Sequence, residues 1–187
     1  MLGKTAEGLA KFAEGMLFEA YWFGACCYAC TETLLREKSR QYPSEYTGER
    51  LDKYRRDIAE NKRCADCVGL IKGYCWQNAQ GRIVYRQNGC PDVGARGMRA
   101  AARVFGRISA LPETAGLLLW KDGHIGVYLG GGEIAEARGF SYGIVKSRVD
   151  ERDFSEWFEC PYIEYPKYRA SAEGFGAKNG NERSRKA

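Results

Sequence analysis

The chain has 187 residues, a length that suits one domain with a short extension. Apolar residues make up 44% and aromatic residues 13%, which excludes a wholly disordered chain. No apolar run approaches the ~18 residues of a membrane span, so none is predicted. Eight cysteines stand against a single histidine, which excludes a site of several histidine ligands. A disulfide framework, a zinc site and a catalytic thiol all stay open.

The first 18 residues do not resemble an export signal, because Lys and Glu interrupt every apolar stretch. A signal peptide needs an uninterrupted apolar core of ~7–15 residues. We therefore expect synthesis in the cytoplasm without a signal peptide. Thiols stay reduced in that compartment, which makes disulfides a weaker interpretation.

The net charge of +5 is unevenly distributed along the chain. Residues 167–187 carry six basic and two acidic side chains, so +4 of the charge lies there. We expect residues 1–166 to form one domain and residues 167–187 to form a basic, disordered tail. The nearly neutral domain does not favour a nucleic-acid partner.

Hydrophobic periodicity changes from helical in the first half to strand-like in the second. Helices are predicted at 5–18, 30–38, 49–61, from Cys67 onward, and at 95–108. Strands are predicted at 116–120, 124–129, 134–137, 144–149 and 162–165. This order predicts an α+β fold in which a helical N-terminal half packs on a small antiparallel sheet.

Cys67 is the first candidate for chemistry. Apolar residues at helical spacing from this position predict a buried helix, and Asp66 is a suitable N-cap. A helix N-terminus lowers the pKa of a thiol, and free amides there can bind an oxyanion. The sequence therefore predicts Cys67 as a nucleophile, although a buried cysteine is more often a small hydrophobic residue.

His124 is the only available imidazole base, and it opens a predicted strand. If the following hairpin turns at Gly130, His124 lies directly opposite Glu136, with both side chains on one face. Glu136 could then orient the imidazole as in a catalytic triad. The alternative is a surface salt bridge between Glu136 and Arg138.

Four separated segments resemble the motifs of the NlpC-type cell-wall cysteine peptidases, a papain-like family. The segment 66–70 (DCVGL) is similar to the DCSGL signature, and 123–130 (GHIGVYLG) to GHVGIYLG. The segment 133–137 (EIAEA) stands where that family places its third catalytic residue, and 21–24 (YWFG) resembles PYVWG. The resemblance covers roughly residues 15–165.

This resemblance implies a papain-like hydrolase of amide bonds in peptidoglycan stem peptides. It implies Cys67, His124 and Glu136 as catalytic residues and Tyr21 and Asp66 on the substrate side. It implies no metal and no cofactor. We expect a monomer that acts on the cell wall after release from the cell, as a phage lysin does.

Three departures from the family pattern qualify these implications. Val68 replaces a serine that helps to bind a free substrate amine in some members. Glu136 replaces the usual histidine, which we expect to favour a thiolate–imidazolium pair. About 40 residues separate Gly24 from Asp66, and this insertion is expected to form a lid or wall.

The alternative function is a zinc-stabilised binding module. Two CxxC pairs, Cys27 with Cys30 and Cys64 with Cys67, could supply four thiolates to a tetrahedral zinc. The 33-residue spacer is longer than the ~15–20 residues of compact zinc sites. A hydrolase fold that has lost catalysis and serves only for binding is a third possibility.

Overall fold

The computed structural model describes residues 3–166, so the predicted tail at 167–187 lies outside the described residues. Within that range there are five α-helices, none long and apolar enough to cross a membrane. The helices are α1 (Ala6–Glu14), α2 (Glu32–Gln41), α3 (Gly48–Ala59), α4 (Cys67–Cys75) and α5 (Ala95–Ala101).

Nine strands form two sheets in the same part of the chain. They are β1 (Ala20–Tyr21), β2 (Cys26–Ala29), β3 (Arg63–Ala65), β4 (Phe105–Arg107), β5 (Leu118–Lys121), β6 (His124–Gly130), β7 (Glu133–Gly139), β8 (Gly143–Arg148) and β9 (Glu156–Phe158). A small sheet has the order β1-β3-β2, and a six-stranded sheet has the order β4-β9-β5-β6-β7-β8. The predicted α+β class is confirmed.

The six-stranded sheet is antiparallel throughout and buries both of its faces. On one face Ile125 and Val127 belong to the main core with residues of α1 and α4. On the other face Tyr128 and Ile134 pack with Phe154 in a separate core. Strand alternation separates the two groups, because successive side chains point to opposite faces.

Two predicted elements differ from the structure. The helix predicted at 95–108 ends at Ala101, because residues 105–107 pair with β9 as an added strand. Among the described residues, no strand forms at 162–165. Glu164 makes only an isolated β-bridge with Thr5. The small sheet was not predicted, since strands of two to four residues carry too little periodicity.

The insertion between Gly24 and Asp66 folds as α2 and α3 around one tryptophan. The indole N–H of Trp22 donates to the carboxylate of Asp57 at 3.0 Å. Tyr54 packs edge-on against the Trp22 ring, with ring centroids 5.1 Å apart. The insertion therefore has its own apolar core and anchors the segment that leads to Gly24.

Helix α4 packs so closely on β2 that two of its positions require glycine. A Cβ at Gly69 would collide with the carbonyl oxygen of Ala25, and one at Gly73 would lie 2.5 Å from the sulfur of Cys27. The backbone at Ala25 cannot move aside to make room for a Cβ, as the end of a flexible side chain could. The spacing of these glycines thus sets how near the start of α4 comes to residues 24–27.

We predict that Gly69→Ala destabilises the protein by about 2–3 kcal/mol or more, because the added methyl group meets backbone. Gly48→Ala is the matched control, since Gly48 is also in the first turn of a helix and a Cβ there meets nothing within 4 Å. That change should be neutral or stabilising by up to ~1 kcal/mol. Thermal unfolding compares the two, and equal effects would contradict the close approach.

Candidate active site

Cys67 is the first residue of α4, as the sequence predicted, and Asp66 is its N-cap. One carboxylate oxygen of Asp66 accepts the backbone N–H of Gly69 at 2.5 Å. The other accepts the backbone N–H of Gly24 at 2.8 Å. The side chain thus satisfies a free amide of the helix start and ties that start to the segment after Trp22.

Exposure distinguishes Cys67 from the other cysteines. All eight lie in the described residues, and seven of them are buried, whereas Cys67 is partly exposed. A nucleophile must reach its substrate, while a buried thiol acts as a small apolar side chain. Exposure therefore selects the same cysteine that the sequence pattern selected.

The thiol of Cys67 is held in its protonated form. Burial, and after it the charge of Asp66, raises the pKa of Cys67 to about 12. Backbone N–H groups of Ile125, Val68 and Cys67 itself favour the thiolate but do not outweigh these effects. Burial therefore disfavours the thiolate of the expected thiolate–imidazolium pair, because desolvation exceeds the effect of the helix N-terminus.

The N–H of Ile125 reaches the sulfur because β6 and β7 separate at one end. The backbone groups of Tyr128 point toward β5, since they form hydrogen bonds of 2.7 and 2.8 Å with Gly116 and Leu117, just before that strand. Successive residues of a strand direct their backbone groups to opposite neighbours, so the N–H of Ile125, three residues away, points toward β7. Pairing with β7 extends only as far as Val127 and Ala135. The thiol of Cys67 thus accepts an N–H that a continued ladder would have used.

His124 is the residue before Ile125 and hydrogen-bonds to Glu136. The distance from its Nε2 to a carboxylate oxygen is 2.7 Å, and Glu136 is fully buried. The structure thus brings both predicted partners together at the end of the sheet where the thiol lies. With Nε2 bound to the carboxylate, Nδ1 is the nitrogen that can accept a proton.

The predicted register of this pair is wrong by two residues. Val127 opposes Ala135, and extending that register by one residue sets Glu136 against Gly126 rather than His124. A shift of two keeps Glu136 and His124 on the same face, where diagonal neighbours are within side-chain reach. A Cβ at position 126 would lie 3.6 Å from that of Glu136.

Arg152 is a partner of Glu136 that sequence reasoning missed. Its Nε lies 2.7 Å from one carboxylate oxygen, and its Nη2 lies 3.0 Å from the other. The alternative of a surface salt bridge with Arg138 is wrong, since Glu136 is buried and the Arg138 guanidinium lies over the Tyr142 ring. Arg152 follows the last residue of a short 3-10 turn after β8, where no local pattern indicates a contact with β7.

Glu136 stays ionised despite its burial. Desolvation by itself would raise the pKa of this carboxyl group, but hydrogen bonds from His124 and Arg152 lower it to about 2. The aromatic ring of Phe154 stacks on the imidazole of His124, with centroids 5.8 Å apart and an interplanar angle of 22°. Both the carboxylate and the imidazole are thus fixed from more than one side.

Tyr21 lies beside the start of α4 because β1 pairs with β3, which sets Tyr21 against Ala65. Burial, and then the charge of Asp66, raises the pKa of the Tyr21 phenol. Asp66 itself is almost fully buried, and backbone N–H groups bind both of its oxygens. In the structure Asp66 is a cap, and its role toward substrate stays a prediction, as does that of Tyr21.

A cleft of about 450 Å³ opens next to Gly24. Lys38 of α2 and Cys26 of β2 line it, together with Trp76 and Asp92. The inserted helix α2 thus forms one wall of a cleft beside Gly24, whose N–H Asp66 binds, but neither Cys67 nor His124 is among the residues that line this cleft.

The four cysteines of the zinc alternative do not converge. The thiol of Cys27 lies 3.6 Å from the carbonyl oxygen of Gly69, whereas Cys30 and Cys64 contact one another in the core around Trp22. Among residues 3–166, no three His, Cys, Asp or Glu side chains are grouped so as to hold a metal ion.

Comparison with known proteins adds no relative to this description. The chain matches no protein-family model, and no curated protein matches it in sequence. The assignment of function therefore rests on the geometry above and on the motifs in the sequence.

We predict that iodoacetamide alkylates Cys67 before any other cysteine of the folded protein, because the other seven are buried. Since the pKa of Cys67 is about 12, the rate should rise about tenfold per pH unit between pH 7 and 10. Peptide mass spectrometry identifies the labelled residue. Cys67→Ala is the control, and rapid labelling of that variant would contradict the assignment.

We also predict that acid destabilises the folded state through Glu136. Its pKa is lowered to about 2 in the folded protein from the ordinary 4.5, so its contribution is complete above about pH 4.5. That contribution decreases as the pH falls toward 2, because the unfolded state then binds the proton first. Urea unfolding between pH 2 and 6 should show a shallower pH dependence for Glu136→Gln than for the wild type, and identical slopes would contradict it.

Proposed function

We propose that the protein is a papain-like cysteine hydrolase that cleaves amide bonds in peptidoglycan stem peptides. One observation carries the proposal. Cys67 is a partly exposed residue at a helix N-terminus, its thiol lies against the strand residue that follows His124, and the His124 imidazole is bound to buried Glu136. This combination supplies a nucleophile, a base and a group that orients the base.

The protonated resting thiol favours general-base catalysis. Nδ1 of His124 removes the thiol proton as the sulfur of Cys67 attacks the carbonyl carbon of the amide. The N–H groups of Cys67 and Val68, at the free end of the helix, are suited to stabilise the oxyanion. The imidazolium then protonates the departing amine, which leaves a thioester on Cys67. The imidazole then deprotonates a water molecule that attacks the thioester carbonyl. The C–S bond breaks, the acid is released, and the imidazolium returns its proton to the sulfur of Cys67.

Glu136 determines which nitrogen of His124 acts. The carboxylate accepts Nε2–H, so the neutral imidazole keeps its lone pair on Nδ1. The same carboxylate stabilises the imidazolium that forms during the reaction. We assign Glu136 the role of positioning the base.

The choice of peptidoglycan as substrate rests on the resemblance to the NlpC-type motifs. In support, Tyr21 lies beside the start of α4, where Cys67 stands. We propose that the protein acts on the cell wall after release from the cell, and that it does so as a monomer without a cofactor.

We predict that the purified protein lowers the turbidity of isolated cell walls and that Cys67→Ala abolishes this activity. Cys30→Ala is the matched control, because it removes a buried cysteine from the separate core around Trp22. Mass spectrometry of the released fragments should show new peptide ends. Lysis by Cys67→Ala at the wild-type rate would overturn the proposal, and one zinc per chain, lost with Cys27→Ser, would support the binding module.

We predict that His124→Ala lowers kcat by ~10²–10⁴-fold, the range typical for loss of a general base. Glu136→Gln should also lower kcat strongly, because an amide can neither fix the tautomer nor stabilise the imidazolium. Release of fragments from cell walls gives the rates, and circular dichroism checks the fold. Wild-type kcat in either folded variant would contradict the assigned role.

A further inference from the structure

Three consecutive residues after β8 contact the surroundings of His124. Arg152 binds both oxygens of Glu136, and Phe154 stacks on the imidazole ring. Between them, Asp153 binds Lys121, which pairs with His124 across the β5–β6 hairpin. The segment 152–154 therefore closes over the base from the side opposite to the main core.

Arg152 is itself largely enclosed, with 15% of its side chain exposed, and it meets a carboxylate that is 0% exposed. A guanidinium remains charged at every pH at which proteins fold, and its planar donors match a carboxylate in two-point contact. The charge of Glu136 is thus shared between a permanent cation and an imidazole that can be neutral.

We propose that Arg152 is a positioning residue of the reaction, which compensates the charge of Glu136 and so limits how strongly this carboxylate favours the imidazolium form of His124. This inference rests on the proposed function, because it concerns the same imidazole. A buried carboxylate with the imidazole as its only cationic partner would favour imidazolium. An imidazolium could not accept the proton of a thiol, so Arg152 keeps the base ready for use.

The charged groups around His124 determine in which direction the loss of Arg152 shifts the balance between imidazole and imidazolium. Glu136 favours imidazolium, whereas Arg152 opposes it. Lys121 and Asp153 offset one another, since their charged atoms lie 2.5 Å apart. The thiol of Cys67, on the side of α4, is uncharged at neutral pH. Removal of the Arg152 charge therefore leaves Glu136 as the dominant influence on the ring.

The test uses the fact that His124 is the only histidine in the chain, so its ring NMR signals need no further assignment. In the wild type, ¹⁵N shifts should show that the neutral ring is protonated on Nε2, the nitrogen bound to Glu136. In Arg152→Gln, the midpoint of the ring titration should move upward by about 1 pH unit or more, the size typical for loss of a neighbouring charge. Neither measurement requires a substrate.

Arg99→Gln is the matched control, because Arg99 forms a similar half-enclosed pair with Glu156 and has no contact with Glu136. It should destabilise the protein comparably but leave the ring titration unchanged. Arg152→Lys, which keeps the charge, should restore most of the wild-type midpoint.

Activity provides a second readout. In Arg152→Gln the acid limb of kcat/KM against pH should move upward together with the NMR midpoint. A folded Arg152→Gln variant with the wild-type midpoint would overturn the assignment even if Arg152→Gln lowered activity. If the wild type hydrolyses no cell-wall peptide and the NMR results are as expected, only the proposed function would be overturned.

Discussion

The double hydrogen bond of Asp66 is the constraint on which the site depends. One carboxylate binds the N–H of Gly69 in α4 and the N–H of Gly24 before β2. Both positions are glycine, and a Cβ at either would collide with a neighbour, the ring of Tyr42 at Gly24 and the carbonyl oxygen of Ala25 at Gly69. The start of α4 is therefore fixed against the small sheet, which leaves Cys67 little freedom. A charged cap in a buried place is costly, and its two amide partners offset that cost.

The separation of β6 from β7 turns this fixed helix start into a site. Where the ladder stops, the sulfur of Cys67 takes the place of a strand partner for the N–H of Ile125. The thiol thus approaches from the face of α4, while His124 and Glu136 occupy the opposite face at the same end of the sheet. Both faces of the sheet are packed, so neither the helix nor the imidazole can move without disturbing a core.

Several parts of this arrangement could be predicted from the sequence, because they depend on local helix capping or on the alternation of side chains between the two faces of a strand. Asp66 followed by a buried helical pattern indicates the helix start at Cys67. A shift of two residues from the predicted register leaves His124 and Glu136 on the same face of the sheet. Their predicted hydrogen bond was therefore confirmed, although the predicted register was wrong. The order of helices before strands likewise predicted the α+β class.

Only the tertiary structure decided the charge state and the partners of the site. Burial near Asp66 holds the Cys67 thiol protonated, and that burial arises from α4 packing on β2 and the sheet. Arg152 reaches Glu136 across 16 residues of chain, after a turn with no helical or strand period of its own. Periodicity records which face of an element is apolar, and capping records where a helix begins. Desolvation and long-range ion pairs depend on what other segments cover, and that is determined only when the chain has folded.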